Sequence, residues 1–200
     1  VIWWPARAAL GDGEALLCLL AGGLVLLGAV MAIFSPRFAD TVAGAAANLA
    51  LWLTDLGDYE EAAALVGESL AIRIAALGPE HPQVAGSLTV QANLLLATGR
   101  YDEAIVISTE AQRILRIGLP EDHWQVAAAI NVEGAARARL GQFAAAEKLL
   151  QASLDGLAGS ALPGIEARGR QRLVELYTAW GRPADAARYR SAAADAPTAR

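Results

Sequence analysis

The sequence predicts an all-α fold in which about four helical hairpins stack as a right-handed α-solenoid, preceded by a single transmembrane helix. Two observations predict this: a pattern that returns at a nearly constant spacing, and a long apolar run without charge. The predicted organisation is an N-terminal juxtamembrane segment (1–14), a transmembrane helix (15–34), a linker (35–42), the repeat domain (43–190) and a flexible tail (191–200).

The apolar run covers residues 15–34 and contains no charged side chain. At about 1.5 Å rise per residue it would span roughly 30 Å, the thickness of a bilayer core. Two alternatives fit less well, because the apolar region of a cleaved signal peptide is usually shorter and few soluble helices are apolar all round. Arg7 lies before the run and Arg37 after it, so the charge count leaves the membrane orientation undetermined.

The repeat is marked by glycines at positions 57, 99, 141 and 181, whose spacing is almost constant. His81 and His123 form a second landmark with the same spacing as the first two glycines. In each unit an apolar helix runs to the glycine, which can take the left-handed conformation without a Cβ penalty, and a second helix follows. One hairpin cannot bury its apolar face alone, so the copies are expected to stack.

Several side chains at fixed repeat positions have a structural interpretation. Trp52 and Trp180 fall within helices and are expected to pack there. His81 and His123 could meet on adjacent repeats, but two histidines without a third ligand make a poor metal site. We therefore expect each histidine to cap the helix that follows it or to stabilise the turn before it, and no metal or cofactor is expected. Four small residues are expected to let the two helices of each hairpin approach closely: Ala62, Ala104, Ala146 and Ala186.

These repeats resemble tetratricopeptide repeats, in the long variant found in kinesin light chains. The resemblance covers roughly residues 43–190, and the segments 69–73 (Ser-Leu-Ala-Ile-Arg) and 77–82 (Leu-Gly-Pro-Glu-His-Pro) are typical of that variant. The fourth hairpin departs from the pattern, since Pro183 replaces the aromatic residue after the turn. It is interpreted as a capping repeat, because terminal repeats are often atypical.

The C-terminal part of the chain, from Leu176 to Arg190, resembles the end of bacterial transmembrane serine/threonine kinases that carry such repeats. The chain itself contains no glycine-rich loop, Asp-Phe-Gly or His-Arg-Asp motif, so a kinase domain would either lie before Val1 or have been lost. The alternative hypothesis for function is therefore a sensor or docking region of such a kinase.

The resemblance implies that the first helix of each hairpin lines a concave groove whose polar side chains hold a peptide. Asparagine suits this role because it presents both a donor and an acceptor to a peptide amide. The repeat register predicts the following partner-binding residues: Asn48, Leu51, Asp55, Thr89, Asn93, Leu96, Asn131, Ala135 and Arg139.

The expected partners follow from composition and from the resemblance. The formal net charge is −5, and the densest basic cluster, Arg168 to Arg172, is too small for a nucleic-acid backbone. A protein or peptide is the expected ligand, the lipid bilayer is contacted through residues 15–34, and a larger membrane complex is a further expected setting. We expect a single-pass protein of a bacterial inner membrane that is not an enzyme.

Overall fold

The computed structural model describes residues 38–158 and 164–194, and over these residues every regular element is a helix. The helices are α1 (38–56), α2 (Tyr59–Leu77), α3 (Pro82–Ala97), α4 (Tyr101–Gly118), α5 (Trp124–Arg139), α6 (Phe143–Ala158), α7 (Ile165–Ala179) and α8 (Pro183–Ala194). From Val42 onward they belong to one compact unit. The described part thus confirms an all-α fold of four hairpins.

The predicted transmembrane helix, residues 15–34, lies outside the described residues. Among the helices that the structure describes, none combines the length and the apolar character needed to span a bilayer.

The four hairpins share one turn geometry. Gly57, Gly99, Gly141 and Gly181 all have positive φ, between 73° and 91°. The residue after each glycine donates its backbone N–H to the carbonyl five positions earlier, for example Asp58 to Leu53 at 2.9 Å and Arg182 to Tyr177 at 2.8 Å. This is the bond pattern that closes a helix end around a left-handed glycine, so the prediction from the glycine spacing is confirmed.

The two histidines cap helices. Nδ1 of His81 accepts the backbone N–H of Gln83 at 3.2 Å at the start of α3. Nδ1 of His123 accepts the backbone N–H of Gln125 at 3.3 Å at the start of α5. Each bond satisfies one of the free donors of a helix N-terminus, as expected from the sequence.

The core runs between the helices as a series of apolar clusters in which alanines lie beside larger side chains. The four alanines predicted at the hairpin contacts, at positions 62, 104, 146 and 186, are all 0% exposed. Trp180 stacks on Phe143 with ring centroids 5.7 Å apart, so its predicted packing is confirmed. The same prediction for Trp52 is wrong, because 73% of this residue is exposed on α1.

Candidate functional site

A polar groove of about 480 Å³ runs along the first helices of all four hairpins. We use the name polar groove for the surface formed by Thr54, Asp55, Asn93, Leu96, Ala97, Tyr101, Arg139, Arg168, Gln171, Arg172 and Glu175. A second hollow, of about 360 Å³, lies at the turn between α5 and α6 and is lined by no charged side chain. The polar groove therefore offers the richer chemistry of the two.

The polar groove contains four of the predicted binding residues, Asp55, Asn93, Leu96 and Arg139. The others lie elsewhere: Asn131 is only 3% exposed, and Asn48 is exposed outside the groove lining. Asn48 lies outside the groove because the prediction places it one residue out of register: the residue 42 positions before Thr89 is Ala47. Leu51, Thr89 and Ala135 also lie outside the groove lining.

The fourth hairpin contributes four groove residues that the sequence prediction misses: Arg168, Gln171, Arg172 and Glu175 on α7. The interpretation of this hairpin as a cap rests on its turn and does not extend to the face of α7. The sequence does contain a signal for these residues: Arg168, Arg172 and Glu175 are spaced three to four positions apart, which places them on one face of a helix.

Arg172 binds both Asn93 and Asn131. Its Nη2 donates to Oδ1 of Asn93 at 2.6 Å, and its Nη1 donates to Oδ1 of Asn131 at 2.8 Å. Burial, with a smaller contribution from the positive charge of Arg168, lowers the pKa of the Arg172 guanidinium to about 10. Because this folded pKa lies below the ordinary arginine value, the charged form of Arg172 costs stability at neutral pH, a cost relieved only above about pH 10.

The amide nitrogens of the two asparagines are also engaged. Nδ2 of Asn93 donates to the Thr89 carbonyl at 2.9 Å, and Nδ2 of Asn131 donates to Oγ of Ser153 at 2.9 Å. A ligand that uses these amides must therefore displace Arg172 or replace its bonds.

Two ion pairs cross the polar groove. Arg168 on α7 binds both carboxylate oxygens of Asp55 on α1, with Nη2 at 2.7 Å and Nη1 at 3.2 Å. This ion pair links the fourth hairpin to the first. Arg139 on α5 lies 3.6 Å from Glu175 on α7. Both pairs are half exposed, so they are screened by water and break at low cost.

Three arginines against two carboxylates leave the polar groove with one excess positive charge. Among residues 38–158 and 164–194, no group of three or more His, Cys, Asp or Glu side chains is arranged to hold a metal ion. The groove is thus a surface of amides and ion pairs, which can exchange hydrogen bonds with a peptide backbone.

Comparison with known proteins gives one family match. Residues 41–117 match a tetratricopeptide repeat family model, and a search of curated proteins finds no match. The kinase-like segment 176–190 lies beyond the matched residues, so that resemblance stays a prediction. The match and the repeated hairpins together support the assignment of tetratricopeptide repeats, a module whose usual role is protein–protein interaction.

Proposed function

We propose that this chain is a non-catalytic scaffold that binds a protein or peptide partner in the polar groove. The observation that carries the proposal is the continuity of the groove, which takes polar side chains from the first helices of all four hairpins. A segment of a partner laid along it would contact every repeat. Its hydrogen-bonding groups would meet amides and guanidinium groups rather than an apolar wall.

Binding would exchange bonds that the free chain already makes. Carbonyl oxygens of the partner would replace the asparagine oxygens around Arg172, and the freed amide oxygen of Asn93 would accept a backbone N–H of the partner. Since the ion pair between Arg168 and Asp55 is half exposed, its opening costs little. The partner's new bonds must therefore offset the charge-assisted bonds of Arg172 as well as the weak ion pair.

Photocrosslinking tests the proposal in the full chain. A photoreactive residue placed at Gln171, exposed in the groove, is expected to capture a defined partner that the same residue at Val106 does not capture. Val106 is the matched control, because it is 66% exposed on α4 and outside the groove. Equal capture from both positions would exclude the groove.

Substitutions then identify the contacts. Asn93→Ala and Arg172→Ala should each reduce capture from Gln171 severalfold, whereas Arg116→Ala, which removes an exposed ion pair with Glu121 outside the groove, should not. Asn131 is a poor test residue because it is buried against Ser153, so its loss would disturb the fold. Capture that is insensitive to both groove substitutions would contradict the proposal.

Membrane anchoring is part of the same proposal, and the uncharged residues 15–34 support it. In membranes from cells that express the chain, alkaline carbonate should leave the full chain in the pellet and release a variant without residues 15–34. Release of both would mean that the segment is not an anchor. Co-purification in mild detergent would show whether the scaffold belongs to a larger membrane complex.

A further inference from the structure

Helix α1 presents an apolar face that no other helix of the described residues covers. We call the α1 face the stripe formed by Val42, Ala45, Leu49, Trp52 and Leu56. The steps of three and four positions place these side chains on one side of the helix. Trp52 is 73% exposed and Leu56 is 75% exposed, the two largest exposures among the large apolar residues of the repeat unit.

The repeat register identifies what this face does in the other hairpins. Of the residues 42 positions later, Val84, Ser87 and Leu94 are buried, Gln91 is half-buried and Thr98 is exposed. Leu94, the equivalent of Trp52, packs in one cluster with Ala62 of the preceding hairpin. The part of the α1 face from Val42 to Trp52 therefore corresponds to the stacking surface of the next hairpin.

The third and fourth hairpins repeat the arrangement. On α5 the equivalent of Ala45 is Ala129, which packs in one cluster with Ala111 of α4. On α7, where the offset is 40, the equivalent of Trp52 is Leu176, which is 1% exposed. Within the described part of the chain, α1 is thus the one first helix whose stacking surface no preceding hairpin covers.

The opposite end of the stack does not offer an apolar counterpart. The residue 40 positions after Leu150, which packs between α6 and α7, is Arg190 on α8. Arg190 is exposed and donates a hydrogen bond to Oγ1 of Thr178 at 3.3 Å. Placing a second copy head to tail would bury this charge against Trp52, which is unfavourable.

We propose that the α1 face pairs with the same face of a second copy of this chain, in an antiparallel arrangement about a two-fold axis. With the axis beside Leu49, Val42 lies level with Leu56 of the partner, and Ala45 lies within one residue of the level of the partner's Trp52. The small residue leaves room for the indole, and facing large and small residues is how well-packed helix contacts are filled. A two-fold contact uses one surface twice and closes on itself.

Charge does not oppose this pairing near the axis. Residues 41–54 contain no charged side chain, so no like charges meet beside the axis. The face, from Val42 to Leu56, is about 21 Å long, which makes a small interface and a weak, concentration-dependent dimer.

The first test is the mass of the full chain in detergent over a range of concentrations. We expect a reversible monomer–dimer equilibrium, and Trp52→Glu should raise the dissociation constant at least about a hundredfold, because each dimer loses two buried indoles. Val106→Glu is the matched control and should leave the constant unchanged, since Val106 is similarly exposed on α4. A chain that is monomeric throughout, or a dimer indifferent to Trp52→Glu, overturns the proposal.

Disulfide trapping tests the axis in a Cys18→Ser background. Leu49→Cys lies beside the two-fold axis and should link to its own copy, whereas Val42→Cys should not, because it faces Leu56 of the partner rather than its own copy. Equal linking at both positions would indicate contact through another part of the chain. No linking at Leu49→Cys, with the face protected, would mean that residues 1–37, a lipid surface or another protein covers it; either outcome overturns the proposal.

Discussion

The contact between the first and second hairpins and the contact between the third and fourth hairpins occupy the same place in the repeat but are built differently. Between α2 and α3, Oγ of Ser69 and Oγ of Ser87 share a hydrogen bond of 2.7 Å, and Nη1 of Arg73 donates to Oγ of Ser87 at 2.8 Å. Both contacts contain an apolar cluster, with Val66 and Leu94 between α2 and α3 and with Leu150 and Leu173 between α6 and α7. The contact between α2 and α3 adds the polar network to its apolar cluster.

The difference shows that the repeat fixes where helices meet but not what holds them together. The polar contact is satisfied only as a network, because each buried hydroxyl depends on its partner. The apolar contact depends on filled volume. Truncation of the large buried leucines between α6 and α7 should therefore cost most, and the cost of substitutions in the polar network between α2 and α3 should depend on which groups remain unpaired.

The largest effect is expected for Leu150→Ala. This side chain is 0% exposed in the cluster with Leu173 and Tyr177, so truncation leaves a cavity and should lower the free energy of unfolding by about 2–5 kcal/mol. Chemical denaturation followed by circular dichroism measures it. Val106→Ala, exposed on α4, should change the value by less than about 0.5 kcal/mol. A loss at Leu150 as small as that of the control would contradict an apolar contact held by filled volume.

Two glycines give effects of opposite sign. A Cβ at Gly156 on α6 would lie 2.7 Å from Cβ of Ala127, and neither atom can move without moving a helix, so Gly156→Ala should destabilise by about 1–3 kcal/mol. A Cβ at Gly67 on α2 meets nothing within 4 Å. Gly67→Ala should instead stabilise by about 0.5–1 kcal/mol, because alanine is the better helix former. Thermal unfolding of the two variants should move in opposite directions, and a shift in the same direction would contradict this difference in packing.

A middle-sized effect is expected at the polar contact. Ser87→Ala removes the partner of Ser69 and one acceptor of Arg73, both of which are buried, and should cost about 1–2 kcal/mol. The double variant Ser69→Ala with Ser87→Ala should cost less than the sum of the single variants, because no hydroxyl is then left unpaired. Urea unfolding of the three variants measures the cycle. A strictly additive result would show that the network is not cooperative.

Local features of this fold could be predicted from the sequence, and non-local ones could not. The turn at Gly57 depends on a few neighbouring residues, so spacing alone predicts it. The register places Asn131 in the groove, but Ser153 on α6 and Arg172 on α7 enclose it, and neither neighbour is evident from the pattern around position 131. The pattern also predicts a packed Trp52, because this residue falls within a helix, but the pattern does not say which hairpin lacks a neighbour.

The smallest loss of stability is expected at the helix caps, which are local features. His81 and His123 cap α3 and α5, whereas Gly164 before α7 offers no side-chain cap. His81→Ala removes the acceptor of the Gln83 N–H and should cost about 1 kcal/mol in thermal unfolding, a typical N-cap value. His81→Asp should keep most of the stability, since a carboxylate accepts the same bond and favours the positive helix end. Equal losses for both variants would assign the role of His81 to packing rather than capping, and the second hairpin would then begin without a cap, as the fourth does.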